Sequence, residues 1–194
     1  STVVYTICAI LLTPFVMLYT KGITDTNYYQ PAFAFILCAA EWIYCMGLNY
    51  NNVVVCVGHF KQTTKYAIAE TAINLVGSIV LVYSCGLIGV ATATLAAMFY
   101  KMCANIYYMN NNIVKVDTSY SIRSFVANVI VLIASFILFN VLINYQVSTI
   151  LVFFIYAVFV GIVVVALELI SLFLICRKET KYVLSKARQV LSKK

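Results

Sequence analysis

The chain has 194 residues, 64% of them hydrophobic and only 10% charged, with a formal net charge of +7 and a mean hydropathy of +0.99. A soluble domain of this size turns many residues to water, and so few polar side chains cannot cover its surface. An ordinary water-soluble fold is excluded, and lipid is the expected solvent for most of the chain.

A membrane-spanning helix takes about 20 mostly apolar residues. Six runs approach or exceed that length: residues 3–20, 31–57, 66–83, 87–108, 125–144 and 149–176. The first lacks the basic stretch, short apolar core and cleavage site of a signal peptide, so it reads as a span. It opens on Ser1 instead of Met, and the expectation is a piece of a longer protein. On the second helix, Ala34, Cys38, Glu41, Cys45, Asn49 and Asn52 recur at steps of three or four and form one stripe. Glu41 falls about 15 Å below Pro31, near the bilayer midplane.

The third helix carries Thr63, Ala67, Glu70, Asn74, Gly77 and Leu81 on one face, and the fourth carries Gly89, Ala93, Ala97, Lys101 and Asn105. The stretch YSCGLIG between them, residues 83–89, reads as a tight glycine hairpin. Glu70 lies 16 residues before Gly86 and Lys101 lies 15 after it, so antiparallel helices place the two at one depth. The sixth helix repeats the pattern with Ala157, Gly161, Glu168 and Ser171. Residues 177–194 have apolar positions at 183, 184, 187, 190 and 191 with Lys and Arg opposite. That fits either a basic amphipathic helix on the inner leaflet or a solvated tail.

Charge orients the bundle. With the N-terminus cytoplasmic, twelve of the thirteen Lys and Arg fall inside, including Lys61, Lys65, Lys101, Lys115 and Arg123, against Lys21 outside. Both termini are therefore expected in the cytoplasm. The basic residues are scattered over three inner segments, so the net charge reflects topology and gives no reason to expect nucleic acid. The seven cysteines form no CxxC or Cys/His cluster, and all but Cys176 sit in or beside apolar runs, as small buried residues do. His59 is the lone histidine, which argues against a histidine-based metal site or catalytic pair. Tyr19, Tyr28, Tyr29, Tyr83, Tyr107, Tyr108 and Tyr145 lie near span ends, where an aromatic belt is expected.

Charged residues inside spans are costly and normally face a bundle interior or a wet cavity. Two readings of the stripes stay open: an interhelical ion pair among small residues that pack closely, or a polar wall along a transport cavity. Lys101 snorkelling to the inner headgroups is a third.

The segments PFVMLYTKGITDTNYYQP (14–31), GHFKQTTKYAIAETAINL (58–75) and CGLIGVATATLAAMFYK (85–101) together resemble the bacterial polysaccharide flippases, the O-antigen-unit exporters of the multidrug/oligosaccharidyl-lipid/polysaccharide superfamily. The likeness is strongest over residues 13–112 and reduces to general character beyond them. It implies an all-α polytopic membrane protein: a six-helix bundle over residues 1–176, corresponding to part of the C-terminal lobe of a two-lobe transporter, with the basic tail 177–194 in the cytoplasm. It implies a carrier in the bacterial inner membrane that moves an undecaprenyl-diphosphate-linked oligosaccharide from the inner to the outer leaflet. Partners would be that lipid-linked oligosaccharide, membrane lipids and other polysaccharide-assembly proteins. The family often has a basic residue where Lys101 stands, and Asn74 sits in its Asn-bearing helix.

No catalytic residues and no cofactor are expected, only cavity residues and a coupling proton or sodium ion. Lys101 and Arg123 are the candidates to receive the diphosphate. Glu41 and Glu70 are candidates to hold those cations or the coupling ion, and Asn74 and Asn49 are candidate cavity residues. A cation-coupled exporter of small cationic compounds on the same fold, with Glu41 as coupling site, is the alternative. A membrane glycosyltransferase, polymerase or acyltransferase fits less well, because such enzymes use sizeable loops with acid/base residues. The outer connectors here are short and carry only Lys21 and Asp25 as ionisable groups. A purely structural subunit would leave Glu41 unexplained.

Overall fold

The computed structural model describes residues 1–23, 27–114, 118–143 and 149–175, and all regular structure among them is helical. The elements are α1 (Thr2–Tyr19), α2 (Pro31–Cys56), α3 (Phe60–Asn112), α4 (Thr118–Ile137) and α5 (Ile150–Ile175), with α4 running on into a π-helical turn at Leu138–Ile143. Pro31 stands at the first turn of α2, where its missing N–H costs nothing.

Five α-helices are present among the described residues where six spans were expected. The difference is local. The expected third and fourth helices run together as α3, and the only non-helical residue between them is Gly86, at φ 58° and ψ −137°. A positive φ is open to glycine and strained for a side chain, so a single residue reverses the chain within the tight glycine hairpin expected at 83–89. The two arms, 60–85 and 87–112, then lie antiparallel. An ideal Cβ on Gly77 would stand 3.1 Å from the Cβ of Ala93, and one on Gly89 would strike the backbone carbonyl of Leu81.

Four helices are long and apolar enough to cross a membrane, namely α1, α2, α3 and Ile150–Ser171 within α5; the apolar stretch Phe125–Asn140 is shorter. Their outward faces are greasy. Ile155, Val158 and Ile162 of α5 are exposed, as are Leu75, Val76, Ile79 and Val80 of α3. Thr64 and Thr71 also face outward, but each hydroxyl donates to a carbonyl one turn back, at Phe60 and Ala67, so neither offers lipid a free polar group. Long apolar helices with apolar outer surfaces make this a multi-pass membrane protein. Tyr19, Tyr29, Tyr83 and Tyr107 are exposed near helix ends, as a belt requires.

Two cores tie the helices together. Trp42 and Ile43 of α2, Met102 of α3 and Leu132 of α4 form one. Gly47 lets α2 approach α3 closely, since a Cβ there would lie 3.3 Å from that of Met102. Trp42 also donates its indole N–H to Thr2 Oγ1 at 3.2 Å and stacks on Phe125 at 5.2 Å. Ile10 of α1, Phe139 of the π-helical turn and Tyr156, Val160 and Val164 of α5 form the other. The basic tail 177–194, together with Cys176, Asp25, Lys115 and Tyr145, lies outside the described residues.

Candidate functional site

The seam of the α3 hairpin is where the polar residues of this chain converge. The Lys101 ammonium is 2.6 Å from Glu70 Oε2, with the two side chains 25% and 13% exposed respectively. The distance from Gly86, 15 residues on one arm and 16 on the other, is what brings them level, about 23 Å down each helix. One turn nearer the bend, Asn74 Oδ1 accepts from Thr94 Oγ1 across the seam and from Ser78 Oγ on its own helix, each at 3.2 Å. Beyond Asn74 the seam closes with Gly77 against Ala93. At its open end the Tyr108 hydroxyl and His59 Nδ1 share a hydrogen bond of 3.1 Å, and Tyr66 lies edge-on to Tyr108.

Much of the ion-pair reading therefore describes what is built: Glu70 and Asn74 face the other arm of their own hairpin among small residues. In hydrocarbon such bonds replace unsatisfied polar groups, and each is worth roughly 0.5–2 kcal/mol.

Lys101 has a second face. Its ammonium stands 5.8 Å from the ring centre of Tyr44 on α2, within reach of a cation–π attraction. It also lines a niche of about 40 Å³ between α2 and α3, with Tyr44, Gly47, Asn51, Met98 and Asn105 among the other walls. That volume suits about two or three water molecules. A diphosphate or a sugar ring does not fit it as the helices stand.

The remaining candidates fall elsewhere. The α2 stripe does not follow one passage: Ala34 and Cys38 are buried, Cys45 shares a 3.2 Å hydrogen bond with Tyr5 of α1, and Asn49 and Asn52 are exposed. Asn49 is therefore exposed and does not line the niche beside Lys101. Glu41 is half-buried on that stripe and has no cationic partner among the described residues. Arg123 is exposed on α4 and is not among the residues that line the niche beside Lys101. Glu168 of α5 keeps one buried carboxylate oxygen without a hydrogen-bond partner.

Of the six predicted site residues the structure joins Lys101, Glu70 and Asn74, and separates Glu41, Asn49 and Arg123 from them. Sequence reasoning passed over Tyr44 and Asn51. The signal was Gly47, which lies three residues after Tyr44 and four before Asn51 and marks the face of α2 that comes close to α3. Among the described residues no cluster of three His, Cys, Asp or Glu gathers to suit a metal ion.

No family model, curated protein or solved structure matches this chain.

Proposed function

We propose that the chain is the C-terminal part of a bacterial inner-membrane flippase that carries an undecaprenyl-diphosphate-linked oligosaccharide to the outer leaflet. The observation that carries this reading is Lys101: a lysine held within apolar helices, paired with Glu70, and turned on its other side to a polar niche with Asn51 and Asn105. An intramembrane cation is expensive and is kept where an anion or a wet path uses it. The resemblance of residues 13–112 to the polysaccharide flippases supplies the anion, a diphosphate. Passage needs the niche to widen, which alternating access by rocking of one lobe against the other accomplishes while the isoprenoid tail stays in lipid. Arg123, exposed on α4, would meet the headgroup before Lys101 does.

The test is genetic. Lys101→Ala and Arg123→Ala are placed in the complete transporter and surface polysaccharide is measured beside protein level in the membrane. A severalfold loss of displayed glycan at normal protein level is the expected result. Normal display by both variants rejects the diphosphate role.

Glu41 favours a second reading, because it is half-buried and without a cation among the described residues. It would serve as the coupling site of a cation-driven exporter of small cationic compounds. Drug resistance that depends on Glu41, with glycan display unaffected, selects this alternative.

A further inference from the structure

Asn105 is the residue the seam does not explain. It is 2% exposed, lines the niche beside Lys101, and has no side-chain hydrogen bond among the described residues. Its carboxamide is not among the fully buried unpartnered groups of the described residues, so it keeps an opening, and the niche it lines is where a polar guest would reach it. Asn51 on α2 lines the same space and likewise has no side-chain hydrogen bond among the described residues. Two carboxamides and one ammonium can donate N–H groups to one small anionic group, and the niche of about 40 Å³, the room of about two or three waters, can admit a phosphoryl oxygen in their place. The carboxylate that already holds Lys101 is the obstacle, because Glu70 occupies the ammonium at 2.6 Å from outside the niche walls.

We propose that Glu70 is a built-in competitor for the ligand's phosphate: Lys101 exchanges the Glu70 carboxylate for a phosphoryl oxygen that enters the niche and is also held by Asn51 and Asn105. The proposal rests on the transport reading above and deepens it. The physical basis is that both states keep the ammonium paired. Moving Lys101 between two anions avoids leaving a bare charge in hydrocarbon at either stage. It also keeps the phosphate from binding too tightly to leave, since Glu70 stands ready to take the cation back. Carriers need binding weak enough to release.

The experiment uses the full chain in detergent with two probes, inorganic pyrophosphate and geranyl diphosphate, and titrates each by calorimetry. Glu70→Gln is expected to bind pyrophosphate about tenfold more tightly than the unaltered chain. In that background Lys101→Gln, and separately Asn105→Leu, which fills the niche, are expected to abolish the gain. Glu70→Asp, with a shorter reach, should give a smaller gain and serves if Glu70→Gln does not fold. Tighter binding of geranyl diphosphate than of pyrophosphate identifies a lipid headgroup as the source of the anion, and equal binding identifies free phosphate chemistry; either ratio supports the exchange. Unchanged or weaker binding of both probes by folded Glu70→Gln or Glu70→Asp overturns it. The outcome separates from the transport reading. Tightened binding alongside normal glycan display by the Lys101→Ala transporter leaves the exchange standing and removes the flippase. Lost display without tightening does the reverse.

Discussion

The two seams of this molecule are built from opposite materials. Along the α3 hairpin, arm meets arm through an ion pair, an Asn–Thr hydrogen bond and glycine–alanine contacts. Between α1, α5 and the turn after α4, the contact is Ile10, Phe139, Tyr156, Val160 and Val164, with Phe139 edge-on to Tyr156 at 6.2 Å. In water the second seam would be the strong one. In lipid, hydrocarbon side chains gain little by leaving acyl chains, so it keeps only its packing advantage. The polar seam gains, because its groups have few other partners in hydrocarbon. A chain with this composition concentrates its polar residues where they fix which helices are neighbours, and leaves the apolar seam freer to adjust.

The largest effect tests whether the polar seam needs its close approach. A Cβ on Gly89 collides with the Leu81 backbone, which cannot yield as a side-chain tip does. Gly89→Leu is expected to prevent the hairpin from closing, at a cost of about 3 kcal/mol or more. A cysteine pair at positions 74 and 94 reports this directly, by losing its cross-link in the Gly89→Leu chain. Retained cross-linking would mean that the hairpin does not depend on the bare backbone at Gly89.

Next comes the ion pair. Glu70→Ala leaves Lys101 without its carboxylate, and about 2 kcal/mol of stability should be lost in mixed-micelle unfolding. This is below the roughly 3–5 kcal/mol for a fully buried pair because both side chains keep some exposure. Replacing both, with Glu70→Leu and Lys101→Met, should restore most of it, since apolar pairs of similar volume often match buried ion pairs. If the double variant is worse than the single, the pair contributes net stability that the desolvation account does not allow.

That pair also shows how far the sequence could be read. Counting residues from Gly86 was enough to set Glu70 against Lys101, because a helical hairpin has one register once its turn is known. The same glycine makes the count five instead of six, since the expected third and fourth helices join with Gly86 as the one non-helical residue between them. The α2 stripe shows a different limit. Periodicity reports which residues share a face, and Asn49 does share one with Glu41, but only the packing of neighbouring helices decides whether that face is covered along its whole length. The niche walls Tyr44 and Asn51 belong to a different face of α2, and it took the contact at Gly47 to expose it.

On the apolar seam, Val160→Ala should cost about 1 kcal/mol. In water the transfer of two methyl groups would add to the cavity left behind, whereas in lipid mainly the cavity remains. A loss near 2.5 kcal/mol would show that water reaches this seam in the unfolded reference and would remove the contrast between the two regions.

The finest comparison sets one substitution on two threonines of the same hairpin. The one hydroxyl proton of Thr94 has two acceptors within reach, Asn74 Oδ1 across the seam and the Val90 carbonyl of its own helix. Thr71 donates only to Ala67, one turn back, and faces outward. Valine keeps the shape of either residue and removes the hydroxyl. Thr94→Val should therefore cost about 0.6–1 kcal/mol, the scale of an interhelical hydrogen bond in a membrane, and should leave Asn74 with Ser78 as its remaining partner. Thr71→Val should stay within about 0.5 kcal/mol of zero, because a hydroxyl already satisfied by its own backbone gives lipid nothing to lose. Equal costs at the two positions, measured in the same mixed-micelle unfolding, would mean that the outward face of the first arm is covered by protein, and the hairpin would then have two seams instead of one.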